Sequence, residues 1–181
     1  DMKIGSIIGL LLIYFILAWV FKSWTRPFSI MIMIPFAFIG AVLGHYLLGL
    51  TMSILSMFAL LALAGIVVNN SIILVSTIER RFDDLLSQNN KDRQDDKVIN
   101  EAIIAGVVDR FRPVLLTSLT TIGGLSALLF EKSLQAQFLI PMAATIVFGL
   151  GITAFLVLVI VPSMMGISND FSNLVKNIRR R

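Results

Sequence analysis

Apolar residues run along this chain in long blocks, and the polar positions fall between the blocks rather than alternating within them. Five blocks approach the length of about 20 apolar residues that a membrane-crossing helix needs: 4–21, 27–48, 54–78, 114–130 and 138–165. The fourth is the shortest and the most polar. KSWTRP separates the first block from the second, LGLTMS the second from the third, and EKSLQAQ the fourth from the fifth. Links this short make consecutive helices antiparallel neighbours, and Pro27 suits the first turn of its helix. The pattern predicts an all-α fold: a polytopic membrane helix bundle of five transmembrane helices with one cytoplasmic amphipathic helix.

That extra helix comes from the one long connection, 79–113. FDDLLSQNNKDRQDD reads as an exposed loop. From Lys97 to Arg110 the pattern changes, and Val98, Ala102, Ala105 and Val107 or Val108 recur at helical spacing. This fits a short amphipathic helix on the membrane face and fits a solvated connector equally well. The last helices occupy 114–166. The tail, 167–181, ends in the basic NLVKNIRRR, expected to fray beside anionic headgroups.

Composition supports a membrane protein. Of 181 residues, 57% are hydrophobic and 14% charged, where a soluble domain carries about a quarter charged. Cysteine is absent, so neither a disulfide framework nor a thiolate metal site is expected. The net charge of +4 is explained by where the charges fall. If the first helix runs inward, thirteen of the fifteen Lys and Arg residues lie on the cytoplasmic side, leaving Lys3 and Lys132 outside. The basic excess is then a topology signal rather than a nucleic-acid footprint, with the N-terminus facing outward and the C-terminus cytoplasmic. The chain enters its first apolar block directly after Asp1 and Lys3, with no cleavage site behind that block. A piece of a longer polypeptide is expected to start this way. No zinc-protease, hydrolase or phosphate-loop pattern is present, so neither catalysis, nor a cofactor, nor a resident metal is expected.

Polar residues inside the blocks carry the functional signal. No Asp, Glu, Lys or Arg lies well inside any of them, and His45 reads as an interfacial residue near the outer end of the second. GIVVNNSIILV places Asn69 and Asn70 near the middle of the third, where lipid offers an amide no partner. On a helix, Ala62, Gly65, Asn69 and Ser76 share one narrow face, while Asn70 turns toward Ile66, Ile73 and Thr77. The fourth block has a matching stripe of Thr117, Thr120 or Thr121, and Gly124. Packing the two stripes together would satisfy both, because small residues let helices approach and amides bond across the gap. The hydroxyls could equally bond back to their own carbonyls. Gly40, Gly44, Gly149 and Gly151 read as close-packing sites.

GIVVNNSIILV, then EAIIAGVVDRFRPVLLTSLTTIGGLSALLF, then EKSLQAQFLIPMAATIVFGLGITAFLVLVIVPSMMGI together resemble the resistance-nodulation-division (RND) superfamily, most closely its hydrophobe/amphiphile (multidrug) efflux branch. The resemblance covers nearly the whole chain. It implies helices eight to twelve of twelve, the C-terminal membrane half of a permease of the bacterial inner membrane. The partners implied are the N-terminal half of the same permease, a homotrimer, a periplasmic adaptor, an outer-membrane channel and the lipid bilayer. Helix four of such permeases supplies two proton-carrying aspartates that face helix ten. Helix ten commonly supplies a lysine, and helix eleven an Arg and a Thr. Carried over by motif, Asn69 stands where the lysine would be, Asn70 where some relatives are acidic, and Arg110 and Thr117 match the Arg and Thr. Asn69, Asn70, Thr117, Thr121 and Arg110 are therefore the proton-relay and helix-interface candidates. Substrate choice would rest with periplasmic domains outside this chain. Two alternatives stay open: a non-transporting scaffold or assembly domain, and a Sec-associated export relative in the same superfamily.

Overall fold

The computed structural model describes residues 2–23, 25–89 and 96–179. They form six helices: α1 (Met2–Phe21), α2 (Thr25–Met31), α3 (Met33–Leu48), α4 (Ile54–Asn89), α5 (Asp96–Leu129) and α6 (Leu134–Arg179). No strand occurs among the described residues, so the fold is all-α. Three stretches of these are long and apolar enough to cross a membrane: Arg26–Leu48, Ile54–Ser87 and Leu134–Ile167. A shorter apolar stretch, Ile7–Phe21, lies in α1.

The second expected helix is broken into α2 and α3 around Ile32. Pro35, in the first turn of α3, has no N–H for the carbonyl four residues back, and its ring crowds that turn. The break falls where that lost hydrogen bond puts it. Beyond Leu48, Gly49 closes α3 in the left-handed conformation at φ 63°, a region open to glycine at no steric cost.

The 79–113 connection differs most from its expectation. α4 continues through the expected loop as far as Asn89, and residues 90–95 lie outside those described. No separate amphipathic helix follows. α5 runs without interruption from Asp96 through Pro113 to Leu129, joining that helix to the fourth apolar block. Its apolar stripe packs against protein: Val98 and Ala102 are both 1% exposed, and Gly106 sits against Ile78 of α4. Protein, supplied by α4 and α6 packed on α5, thus covers the stripe that was expected to meet the membrane face. The tail likewise continues α6 as helix to Arg179 rather than fraying.

α6 lies at the centre, packed against α3, α4 and α5, whereas α1 leans on α2. Apolar burial gives little drive between helices already in lipid, so close approach of backbones has to supply the packing. Small residues provide it. Ala143, Ala144 and Val161 on α6 are fully buried, and a methyl added to Gly40 of α3 would lie 2.9 Å from the Cα of Gly149. Gly44 abuts Phe148 in the same way. The hydroxyls of Ser71, Thr145 and Thr153 are buried, and each donates to a carbonyl of its own helix, at 2.8, 2.9 and 2.7 Å. No donor is left bare in the apolar interior at these positions.

His45, near the outer end of α3, faces protein rather than the surroundings. It is 3% exposed, with Nδ1 2.9 Å from the Ala41 carbonyl and Nε2 2.9 Å from Ser56 Oγ. Ser53 and Ser56 form a reciprocal cap at the start of α4: Ser56 N–H donates to Ser53 Oγ and Ser53 N–H to Ser56 Oγ, each at 3.2 Å. One polar cluster thus ties the end of α3 to the beginning of α4.

Candidate functional site

Helical phase decides which way each candidate faces. Val67, Ser71, Leu74 and Ile78 form the buried stripe of α4. Ala62, Gly65, Asn69 and Ser76 lie on another side, and all four are exposed. On α5, Val114 and Ser118 are buried, while Thr117, Thr120 and Gly124 are exposed and Thr121 is half-buried. A Cβ on Gly65, Gly123 or Gly124 would meet no atom within 4 Å. The two stripes therefore do not pack on one another as their composition suggested. α4 and α5 meet through other faces, and both polar stripes are left open.

The stripes nevertheless adjoin. Ser76 and Arg110 line one cavity of about 320 Å³, with Thr77, Arg80, Arg81, Asp84 and Asp109. α4 and α5 run in opposite directions, so Asn69 is seven residues before Ser76 on the same face and Thr117 seven residues beyond Arg110. At about 1.5 Å per residue, both sit roughly 10 Å from the cavity toward the middle of the bundle. Each continues an exposed face that begins at the cavity, and these two open faces make up the polar seam.

Hydrogen bonding separates the candidates. Neither the Asn69 nor the Asn70 side chain bonds to any partner among the described residues. Thr117 donates to its own helix, at 3.0 Å to the Pro113 carbonyl and 3.1 Å to that of Val114, and Thr121 donates to the Thr117 carbonyl at 2.8 Å. Of the two routes open to these hydroxyls, the structure takes the local one. Arg110 is the candidate that crosses between helices: its Nε donates to Thr77 Oγ1 at 2.6 Å, and Thr77 in turn donates to the Ile73 carbonyl at 2.8 Å. Thr77 shares a face with half-buried Asn70, so that amide lies toward α5 and Asn69 faces out.

The cavity end is braced by ions that sequence reasoning did not pair. Arg81 of α4 donates to Asp109 of α5 at 2.6 Å, and this hydrogen bond holds the Asp109 carboxyl below its usual range. Arg26 of α2 pairs with Glu79 of α4. Arg81 and Asp109 are 28 residues apart, and no local spacing announced the pair. Asp109 also feels the charge of Arg110, whose guanidinium is held beside the seam by Thr77. Replacing Arg110 with Met keeps the stem and removes the donor. With a half-buried bond from a charged donor, the expected loss is about 1 to 2 kcal/mol of stability. A double-mutant cycle with Thr77→Val checks it, because additive losses would mean that the two side chains do not interact.

Residues 2–167 match the AcrB/AcrD/AcrF family. Among curated relatives, the swarming motility protein SwrC of Bacillus subtilis is 32% identical over 88% of this chain and 14% of its own length. The multidrug resistance protein MdtC of Erwinia amylovora is 31% identical over 83% and 14%. The nickel and cobalt resistance protein CnrA of Cupriavidus metallidurans is 28% identical over 77% and 12%. The crystal structure of a heavy metal efflux pump superposes with a TM-score of 0.73 at 27% identity, covering 87% of this chain and 14% of that one. The chain thus spans about one-seventh of the length of the proteins it matches.

Proposed function

Since the chain belongs to the AcrB/AcrD/AcrF family of RND permeases, we propose that it is the C-terminal membrane half, helices eight to twelve, of a proton-driven efflux permease. In this reading α1, α2 with α3, α4, the 114–129 part of α5, and α6 supply five spans, with the N-terminus periplasmic and the C-terminus cytoplasmic in the bacterial inner membrane. The intact protein exports amphiphilic compounds as a homotrimer, working with a periplasmic adaptor and an outer-membrane channel. By itself the chain is a portion of a transporter, not an enzyme, and is not expected to transport.

The observation that carries this reading is the open seam. An amide midway along an apolar helix, unbonded and flanked by Gly65 with empty space before it, is costly against lipid. Covered by a helix from the other half of the same permease, it gains partners. Asn69 and Asn70 then offer hydrogen bonds to the titrating groups of that half, Thr117 and Thr121 line the path, and Arg110 anchors its cytoplasmic mouth. Asn69 brings no charge of its own, so the charge that moves belongs to the other half.

A metal cargo is the second reading, favoured by the names of CnrA and of the matched heavy metal efflux pump. Among the described residues no group of three or more His, Cys, Asp or Glu comes together, so a metal path would draw its donors from elsewhere in the permease. Expression of the full-length protein in an efflux-deficient host separates the two. Extrusion of amphiphilic dyes is the expected result. Protection against nickel and cobalt alone would establish the second reading, and no extrusion of either would leave a membrane scaffold.

A further inference from the structure

At the end of the bundle away from Arg110, a buried titratable ring is linked to a less buried hydroxyl by a continuous chain of hydrogen bonds. His45 is the only histidine in the protein. The carbonyl of Ala41 can only accept, so Nδ1 carries the ring hydrogen there, 2.9 Å away, and in the neutral ring Nε2 is the acceptor. The hydroxyl of fully buried Ser56, 2.9 Å from Nε2, is placed to donate to it. Ser53 Oγ lies 3.2 Å from Ser56 Oγ, and Ser53 is only partly buried. The backbone N–H groups of the reciprocal cap hold both serine oxygens in place.

We propose that His45 is a proton-binding site, loaded through Ser53 and Ser56 and separate from the seam that carries Asn69. A proton arriving at Ser53 Oγ releases that group's own hydroxyl proton to Ser56 Oγ, and Ser56 releases its proton to Nε2. Two O–H bonds break and two re-form, one N–H bond is made, and the imidazole carries the added positive charge. The chain then runs outward, with Nε2–H donating to Ser56 and Ser56 to Ser53. A plain helix tether needs one donor and one acceptor, which an amide would supply. An imidazole, whose second nitrogen can take up a proton, at the inner end of a chain of hydroxyls, can do more than that.

The surroundings leave this site to itself. α3 carries Tyr46, which is exposed, beside His45. Neither α4 from Ile54 to Ile78 nor α6 from Leu134 to Asn169 contains an Asp, Glu, Lys or Arg. Glu131 and Lys132, in the turn between α5 and α6, lie exposed at the same end. Arg26, Glu79, Arg81, Asp109 and Arg110 lie at the other. Ser56 precedes Asn69 by 13 positions and Thr77 by 21, or about 20 and 32 Å along the helix. No direct hydrogen bond joins the two sites.

The test is nitrogen NMR on the full-length protein, labelled with ¹⁵N-histidine and held in lipid bilayers, with the signal identified by its loss in His45→Gln. Between about pH 8 and pH 5, the ring is expected to begin with hydrogen on Nδ1 alone and to gain a second, reversibly, on Nε2. Ser53→Ala is expected to lose fast exchange at Nε2 while keeping the Nδ1 hydrogen, and Ser53→Thr to restore it. The proposal is overturned if the ring stays neutral across that range. It is equally overturned if the neutral ring holds its hydrogen on Nε2, or if Ser53→Ala exchanges as fast as the native protein.

Discussion

Gly40→Val is expected to cost more stability than any surface change in this chain, because the space it needs is filled by main chain. A Cβ at position 40 would sit 2.9 Å from the Gly149 Cα and 3.0 Å from the Phe148 carbonyl oxygen. Neither can rotate aside, so α3 and α6 must separate along the most extensive helix contact among the described residues. Forcing extra methyl groups into a packed interior costs about 1 to 3 kcal/mol, and the upper part of that range applies where backbone is the obstacle. Thermal unfolding in detergent should show a clearly lowered midpoint for Gly40→Val. Gly65→Val, with no atom within 4 Å of the new Cβ, should leave the chain's midpoint nearly unchanged. Equal midpoints for native protein and Gly40→Val would mean that α3 and α6 are not in backbone contact.

Asn69→Leu is expected to show the reverse division, with the fold intact and transport lost. In this chain the Asn69 side chain is exposed and makes no hydrogen bond among the described residues, so leucine removes nothing that holds the bundle together. In the permease the amide is read as a partner for a charged or titrating group. A hydrogen bond of that kind contributes about 1.5 to 3 kcal/mol. Lost from the transport barrier, it slows turnover roughly tenfold to a hundredfold. Growth under substrate challenge, with membrane protein level measured beside it, gives both halves of the result. Resistance unchanged at normal expression would reduce Asn69 to a packing residue. Reduced protein level would show instead that the amide stabilises the fold.

How much of this was legible in the sequence depended on whether the information was local. Helix positions and phases were local, and the apolar blocks fell on α1, α2 with α3, α4, α5 and α6. GAVLG announced a close approach, and Gly40 and Gly44 make it with Gly149 and Phe148. The partner of a helix face was not local. A stripe such as Ala62, Gly65, Asn69 and Ser76 says that something packs closely, yet the same stripe serves a neighbour within the chain or a helix beyond it. Thr117 fitted as that neighbour by composition, and the structure turns it outward instead. His45 shows the same limit. Position near a helix end suggested an interfacial place, and its hydrogen-bond partner, Ser56, lies eleven residues away across a turn. The helix expected on the membrane face was drawn from a real stripe, Val98 and Ala102. What the sequence could not supply was that the stripe would be covered by neighbouring helices of the same chain.

The central claim is that the seam of α4 and α5 is covered by the rest of the same permease. Photocrosslinking tests it most directly, using a small diazirine side chain in place of Ala62, which is exposed on the Asn69 face. In the full-length protein in native membranes, the predicted adducts join position 62 to a transmembrane segment of the same polypeptide outside residues 1–181. Adducts to lipid alone would contradict the account, for the seam would then face the bilayer and Asn69 would have no partner to serve.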